Sequence, residues 1–171
     1  MAKKGKEIVS ATLDVKKLID FLNQALSDEW LAYYQYWIGA KVVEGPMRND
    51  AIAELTQHAG DELRHAEMIA TRILQLGGTP VLEPKKWYTL TNCGYAVPSD
   101  FSIKKILKQN IEGEQCAIDV YNKLVEFTHN KDFVTYQLVQ TILADEVEHE
   151  EDLQNVLDDL IILEGSLKCK K

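Results

Sequence analysis

Apolar residues recur along this chain at alternating steps of three and four, the spacing that lays a single stripe down one face of an α-helix. Four segments carry such a stripe: 15–43, 49–76, 102–128 and 132–163. Glycine and proline cluster between them, at Gly45-Pro46, at Gly77 to Pro80, and from Pro84 to Pro98. The first and last connections are short, so each flanking pair of helices is predicted to fold as an antiparallel hairpin. The middle connection, 77–101, is long enough to run the length of the helices. The predicted fold is therefore all-α, an antiparallel four-helix bundle with one long B–C crossover, between the second and third helices. Residues 13–163 form the bundle, with an N-terminal tail at 1–12 and a C-terminal tail at 164–171. That last stretch, EGSLKCKK, is too short for a fifth packed helix.

Each stripe is mostly small or apolar, and each holds one glutamate near its middle: Glu29, Glu62, Glu114 and Glu146. A carboxylate in a core loses several kcal/mol of hydration unless it is protonated or paired. No lysine or arginine lies in any stripe to offset that cost. Register brings the four together. Each lies about sixteen or seventeen residues from its hairpin turn, which at 1.5 Å per residue is roughly 24 Å, so all four fall at one level near mid-bundle.

Two of these glutamates open a repeated pattern. DELRHAE (61–67) and DEVEHEE (145–151) both read D-E-x-x-H-x-E, which puts His65 and His149 on the same helix faces as Glu62 and Glu146. One glutamate from each of two helices and Glu-x-x-His from each of the other two is the ligand set of carboxylate di-iron bundles. Oxygen and imidazole donors without thiolate suit iron or manganese, with zinc an easy substitute. A third E-x-x-H, Glu126 to His129, sits at a turn about 18 Å along its helix from Glu114 and faces nothing, so it reads as a solvated helix end. Glu112 points away from the stripe. His58, one turn before Glu62, has no glutamate partner at matching register and reads as an ordinary satisfied histidine, the alternative being a side chain that touches the site. Asp61, Glu67, Asp145 and Glu151 read as solvated groups or as neighbours of the ligands. The first and third helices also echo each other as E-x-x-A-x-x-x-Y, from Glu29 to Tyr36 and from Glu114 to Tyr121. The two tyrosines read as core packing, or as hydroxyls bonded to ligand carboxylates or poised as electron donors.

Composition narrows the class. The 171 residues carry a formal net charge of −8, which disfavours a nucleic-acid or anionic-membrane surface. No stretch has the length of apolar sequence that a membrane span needs. The start, MAKKGKEIVS, has no apolar run, and three irregularly spaced cysteines do not make a secreted disulfide framework, so the expected compartment is the cytoplasm.

Taken together, Glu29, Glu62 with His65, Glu114, and Glu146 with His149 resemble the ligands of bacterioferritin-type ferroxidase centres in the ferritin-like superfamily. The missing fifth helix resembles the Dps-like proteins, although ordinary Dps sites lie between subunits with other ligands. Cys93 followed by Pro98, with Cys116 two residues after Glu114, is similar to the thioferritins, a Dps-like subclass with a cysteine pair beside the diiron site. Cys169, in the lysine-bearing tail, is not expected to join that pair. The resemblance implies a dodecamer that oxidises Fe(II), preferring hydrogen peroxide over dioxygen, stores Fe(III) and protects against oxidative stress. It implies two iron ions on the six residues and a redox-active or structural thiol pair at Cys93 and Cys116. Haem is not expected, because Leu63 stands where bacterioferritins carry the haem methionine. DNA binding would rest on Lys3, Lys4, Lys6, Lys168, Lys170 and Lys171 and is not expected against the overall charge. Two rival readings of the same residues stand beside it: a rubrerythrin-like peroxidase or manganese catalase without a cage, and a DNA-protecting structural bundle.

Overall fold

The computed structural model describes residues 4–9 and 12–168. Lys3, Cys169, Lys170 and Lys171 lie outside the described residues. Six helices follow in order: α1 (Gly5–Val9), α2 (Val15–Val42), α3 (Arg48–Leu76), α4 (Trp87–Leu90), α5 (Ile103–Thr128) and α6 (Phe133–Lys168), with a 3-10 turn at Pro84–Lys86 before α4. The long helices α2, α3, α5 and α6 form the expected bundle. The last of them, α6, runs to Lys168, further than the stripe suggested. Gly165 lies inside it, a residue a helix tolerates at about 1 kcal/mol relative to alanine. No helix among the described residues is long and apolar enough to cross a membrane.

Local chemistry sets the ends. The Asp14 side chain accepts from Lys17 N at 3.1 Å and caps α2. Gly77 ends α3 with φ +83°, a left-handed conformation that glycine adopts without steric cost. Asp132 caps α6 by accepting from the backbone N–H of Val134 and Thr135, both at 3.1 Å. Its other oxygen takes Arg72 Nη2 at 2.7 Å, and Arg72 Nε donates to Thr135 Oγ1 at 2.8 Å. Both charges of this pair are buried, and it ties the end of α3 to the start of α6.

The crossover climbs the bundle and closes against the α2–α3 turn, where Glu44 N donates to Phe101 O (2.7 Å) and Ile103 N to Glu44 O (2.8 Å). Two apolar clusters fill the interior. One, near the α2–α3 turn, gathers Val43, Leu55, Ile106, Leu107, Leu153 and Leu160. The other gathers Leu18, Leu22, Ile69, Ile73, Leu124 and Ile142. Each fully buried side chain of this kind is worth roughly 1.5–3 kcal/mol relative to exposure, so the core can carry a polar layer between the clusters. That layer holds the four stripe glutamates.

Candidate metal centre

Glu29, Glu62, Glu114 and Glu146 are all buried and so are His65 and His149. The three-residue step within α3 and within α6 sets each histidine above its own glutamate. His65 Nδ1 lies 3.4 Å from Glu29 Oε2, 3.5 Å from Glu62 Oε2 and 3.2 Å from Glu146 Oε1. His149 Nδ1 lies 3.4 Å from Glu62 Oε1 and 3.4 Å from Glu146 Oε2. Glu62 and Glu146 thus turn one oxygen to each histidine. Ligand-type atoms gather in two groups, Glu29–Glu62–His65–Glu146 and Glu62–Glu114–Glu146–His149, and within each group all lie within 4.8 Å of one another. The two groups share Glu62 and Glu146.

The electrostatics are those of a site built for positive charge. Burial pushes the Glu29 and Glu114 carboxyls well above their ordinary range, and repulsion from Glu62 and Glu146 adds to it. Burial opposes charge on the histidines, but the carboxylates around them outweigh it: His65 is raised, by Glu146, Glu29 and Glu62, and His149 is pushed up to about 10. Burial also opposes ionisation of Glu146, yet its contacts with His149 and His65 hold it down at about 2. Glu29 Oε2, Glu62 Oε1, Glu114 Oε2, both oxygens of Glu146 and Nδ1 of both histidines are buried without a hydrogen-bond partner. Dications with oxygen and nitrogen preferences would satisfy all of them at once, so these residues fit a pair of metal ions.

The outer groups are arranged crosswise. Tyr36, on α2, donates to Glu114 on α5, and Tyr121, on α5, donates to Glu29 on α2. The E-x-x-A-x-x-x-Y echo in the sequence therefore has a physical content: each tyrosine serves the glutamate of the other half. The Nε2 atoms of the histidines face Asp145 (3.1 Å from His65) and Asp61 (3.5 Å from His149). Arg64 Nη2 joins both aspartates, at 2.8 Å to Asp61 and 3.1 Å to Asp145.

On the α2–α5 side a cavity of about 150 Å³ reaches the carboxylates, lined among others by Glu29, Glu114, Gln109, Glu112 and Cys93. Cys93 and Cys116 form a disulfide there, with Cα atoms 5.7 Å apart. Asp28, which the stripe pattern did not single out, holds the crossover over this cavity. Its carboxylate accepts from Asn92 N (2.7 Å), Asn92 Nδ2 (2.6 Å), Cys93 N (3.0 Å) and the Thr91 hydroxyl. Gln35 and Gln109 bind the two sides of Ala96 in the same strap. A signal for Asp28 existed, since Asp28-Glu29 repeats the Asp-Glu pair of the two E-x-x-H motifs.

The residues set aside from the sequence divide. Glu126, His129, Glu67 and Glu151 are exposed, and Glu112 is exposed at the cavity rim. His58 departs from its expectation as a satisfied histidine: it is buried, stacks on His149 at 4.0 Å between ring centroids, and makes no hydrogen bond.

Residues 19–162 match the family model of the ferritin-like domain. The DNA protection during starvation protein of Pyrococcus furiosus is 34% identical over 160 residues, covering 92% of this chain and 86% of that protein. Among solved structures, the bacterioferritin-related protein from Bacteroides fragilis, described as a dodecameric thioferritin, superposes with a TM-score of 0.94. It is 50% identical, over 96% of this chain and 98% of that one. A ferritin-like diiron-carboxylate protein from Bacillus anthracis matches with a TM-score of 0.72 and 28% identity, over 84% of this chain and 97% of that one.

Proposed function

The chain belongs to the ferritin-like domain family, and on that premise we propose that it is a ferroxidase of an iron-storing cage, with Fe(II) as its substrate. The observation that carries this is the pair of ligand groups sharing Glu62 and Glu146. Glu29 and His65 serve one Fe(II), Glu114 and His149 the other, and the shared carboxylates bridge them. Manganese or zinc would fit the same donors.

The protein's part is to hold two one-electron donors side by side. Each Fe(II) gives one electron, and hydrogen peroxide with two protons takes both and leaves two waters. Paired transfer avoids the one-electron step that would release hydroxyl radical, which is why peroxide is the preferred oxidant in this reading and oxidative-stress protection its consequence. The cavity beside Cys93 admits the small oxidant, and the tyrosine hydroxyls fix the terminal carboxylates Glu114 and Glu29. The Cys93–Cys116 pair is a second redox group at the cavity wall, taking two electrons and two protons on reduction to thiols. Assembly as a dodecamer follows the Bacteroides fragilis relative. DNA binding is left out of this reading because the net charge of −8 opposes it.

The test is stopped-flow oxidation of two Fe(II) per chain by peroxide. Glu62→Ala removes a carboxylate shared by both ions and should abolish the fast phase, and wild-type kinetics in that variant would sink the site assignment. Native mass separates a twelve-subunit cage from a small peroxidase assembly.

A further inference from the structure

His58 lies on α3 one turn before Glu62, completely buried. Neither of its ring nitrogens makes a hydrogen bond. An unsatisfied buried polar group costs about 1–3 kcal/mol, so an idle imidazole in a tightly packed layer asks for a partner. The ring is held firmly, stacked on His149 and met edge-on by Tyr36 at 5.3 Å. Its Nε2 faces two carboxylates at distances too long for hydrogen bonds: Glu54 Oε2 at 3.8 Å, one turn back on α3, and Asp152 Oδ2 at 3.7 Å, on α6.

Those distances are close to what two ligands of a single cation require. Ligands about 2.1 Å from a metal lie roughly 3.0–3.5 Å apart at octahedral or tetrahedral angles. The three ligand atoms all lie within 4.8 Å of one another, and the jointed side chains of Glu54 and Asp152 can close the remaining gap. The carboxylate side chains are 31% and 35% exposed while the histidine is at 0%, so an ion from solvent would meet the carboxylates first and the imidazole last.

We propose that Glu54, His58 and Asp152 form a third divalent-cation site, separate from the dinuclear centre. One imidazole and two carboxylates suit Fe(II), Mn(II) or Zn(II). The site lies between α3 and α6, whereas the oxidant cavity is lined chiefly from α2, α5 and the crossover and meets α3 and α6 at Glu62 and Glu146 of the dinuclear centre itself. The His58–His149 stack puts the third ion beside that centre. Its role as a holding position for an iron ion before or after oxidation rests on the ferroxidase reading, but the cation site itself does not.

Zinc is the probe, because it is redox-inert. Crystals of the full chain loaded with three Zn(II) per chain are measured at the zinc absorption edge. The expected result is an anomalous peak bonded to His58 Nε2, Glu54 and Asp152 in the wild type, lost in Glu54→Gln/Asp152→Asn. A wild-type map with no zinc at His58, or only a water, overturns the proposal, and so does a peak there that persists in the double variant. Peaks between Glu62 and Glu146 report on the dinuclear reading in the same map. Their absence with the His58 peak present would sink that reading and leave this one standing.

Discussion

Asp145 faces Nε2 of His65 at 3.1 Å, so the aspartate of one D-E-x-x-H motif serves the histidine of the other. Asp61 stands 3.5 Å from His149 Nε2 in the mirrored relation, and Arg64 fastens both aspartates. An acceptor on Nε2 fixes the ring and leaves Nδ1 to face the carboxylates as a donor atom for metal.

Removing that acceptor should therefore weaken metal binding without unfolding the bundle. Asp145→Ala is expected to lower affinity for Zn(II) about 10–100-fold, measured by competition with a chromophoric chelator. Asp145 is only partly buried, so helical content by circular dichroism should hold. Unchanged affinity would mean that the contact does not orient His65.

The tyrosines predict a different signature. Tyr36→Phe leaves a buried Glu114 oxygen without its donor, and Tyr121→Phe does the same to Glu29. Each variant should lower metal-free stability by about 1–3 kcal/mol in chemical denaturation. The two sites sit symmetrically about the centre, so the two losses should be similar. A variant as stable as wild type would show that the hydroxyl contributes packing alone.

Much of this arrangement was legible in the sequence, because it depends on helical periodicity and hairpin register. The stripes placed Glu29, Glu62, Glu114 and Glu146 at one height, and the three-residue step placed the histidines. What escaped depends on which helix faces which. The crossed pairing of Asp61 and Asp145 with the opposite histidines requires knowing how closely α3 and α6 approach. His58 is buried because α6 lays His149 over it, which no pattern on α3 alone can reveal. Asp28 is bound by residues more than sixty positions away in a loop without periodicity. The Cys93–Cys116 pair was reached through the family resemblance and not through periodicity, since a separation of 23 residues says nothing about a 5.7 Å approach.

Metal loading should release protons. In the metal-free centre His149 keeps its proton up to about pH 10, and His65 is likewise raised. Metal must displace these protons, so loading with Zn(II) at pH 7 should release roughly two per centre from the imidazoles, with any from Glu29 and Glu114 in addition. Calorimetry in two buffers of different ionisation enthalpy measures the number, and affinity should rise with pH across the neutral range. The folded pKa of His149 lies above its unfolded value, so its contribution to metal-free stability is full below about pH 6.5 and fades as pH climbs towards 10. A proton count near zero at pH 7 would contradict the raised histidines.

The disulfide and Asp28 hold the same loop by different means, and their removal should be distinguishable. The Cys93–Cys116 bond closes a loop of 23 residues, so Cys93→Ser/Cys116→Ser should lower stability by about 3 kcal/mol, mostly by freeing the unfolded chain. In the folded protein the loop should stay in place, because Asp28 still accepts from Thr91, Asn92 and the backbone of Cys93. Asp28→Ala reverses the pattern: the covalent link remains, but the segment from Thr91 to Gly94 loses its anchor in the folded state. Limited proteolysis should then cut this segment faster in Asp28→Ala than in the cysteine variant, while denaturation ranks the two the other way. Rapid cleavage of the cysteine variant under native conditions would show that the disulfide, and not Asp28, keeps the crossover over the cavity.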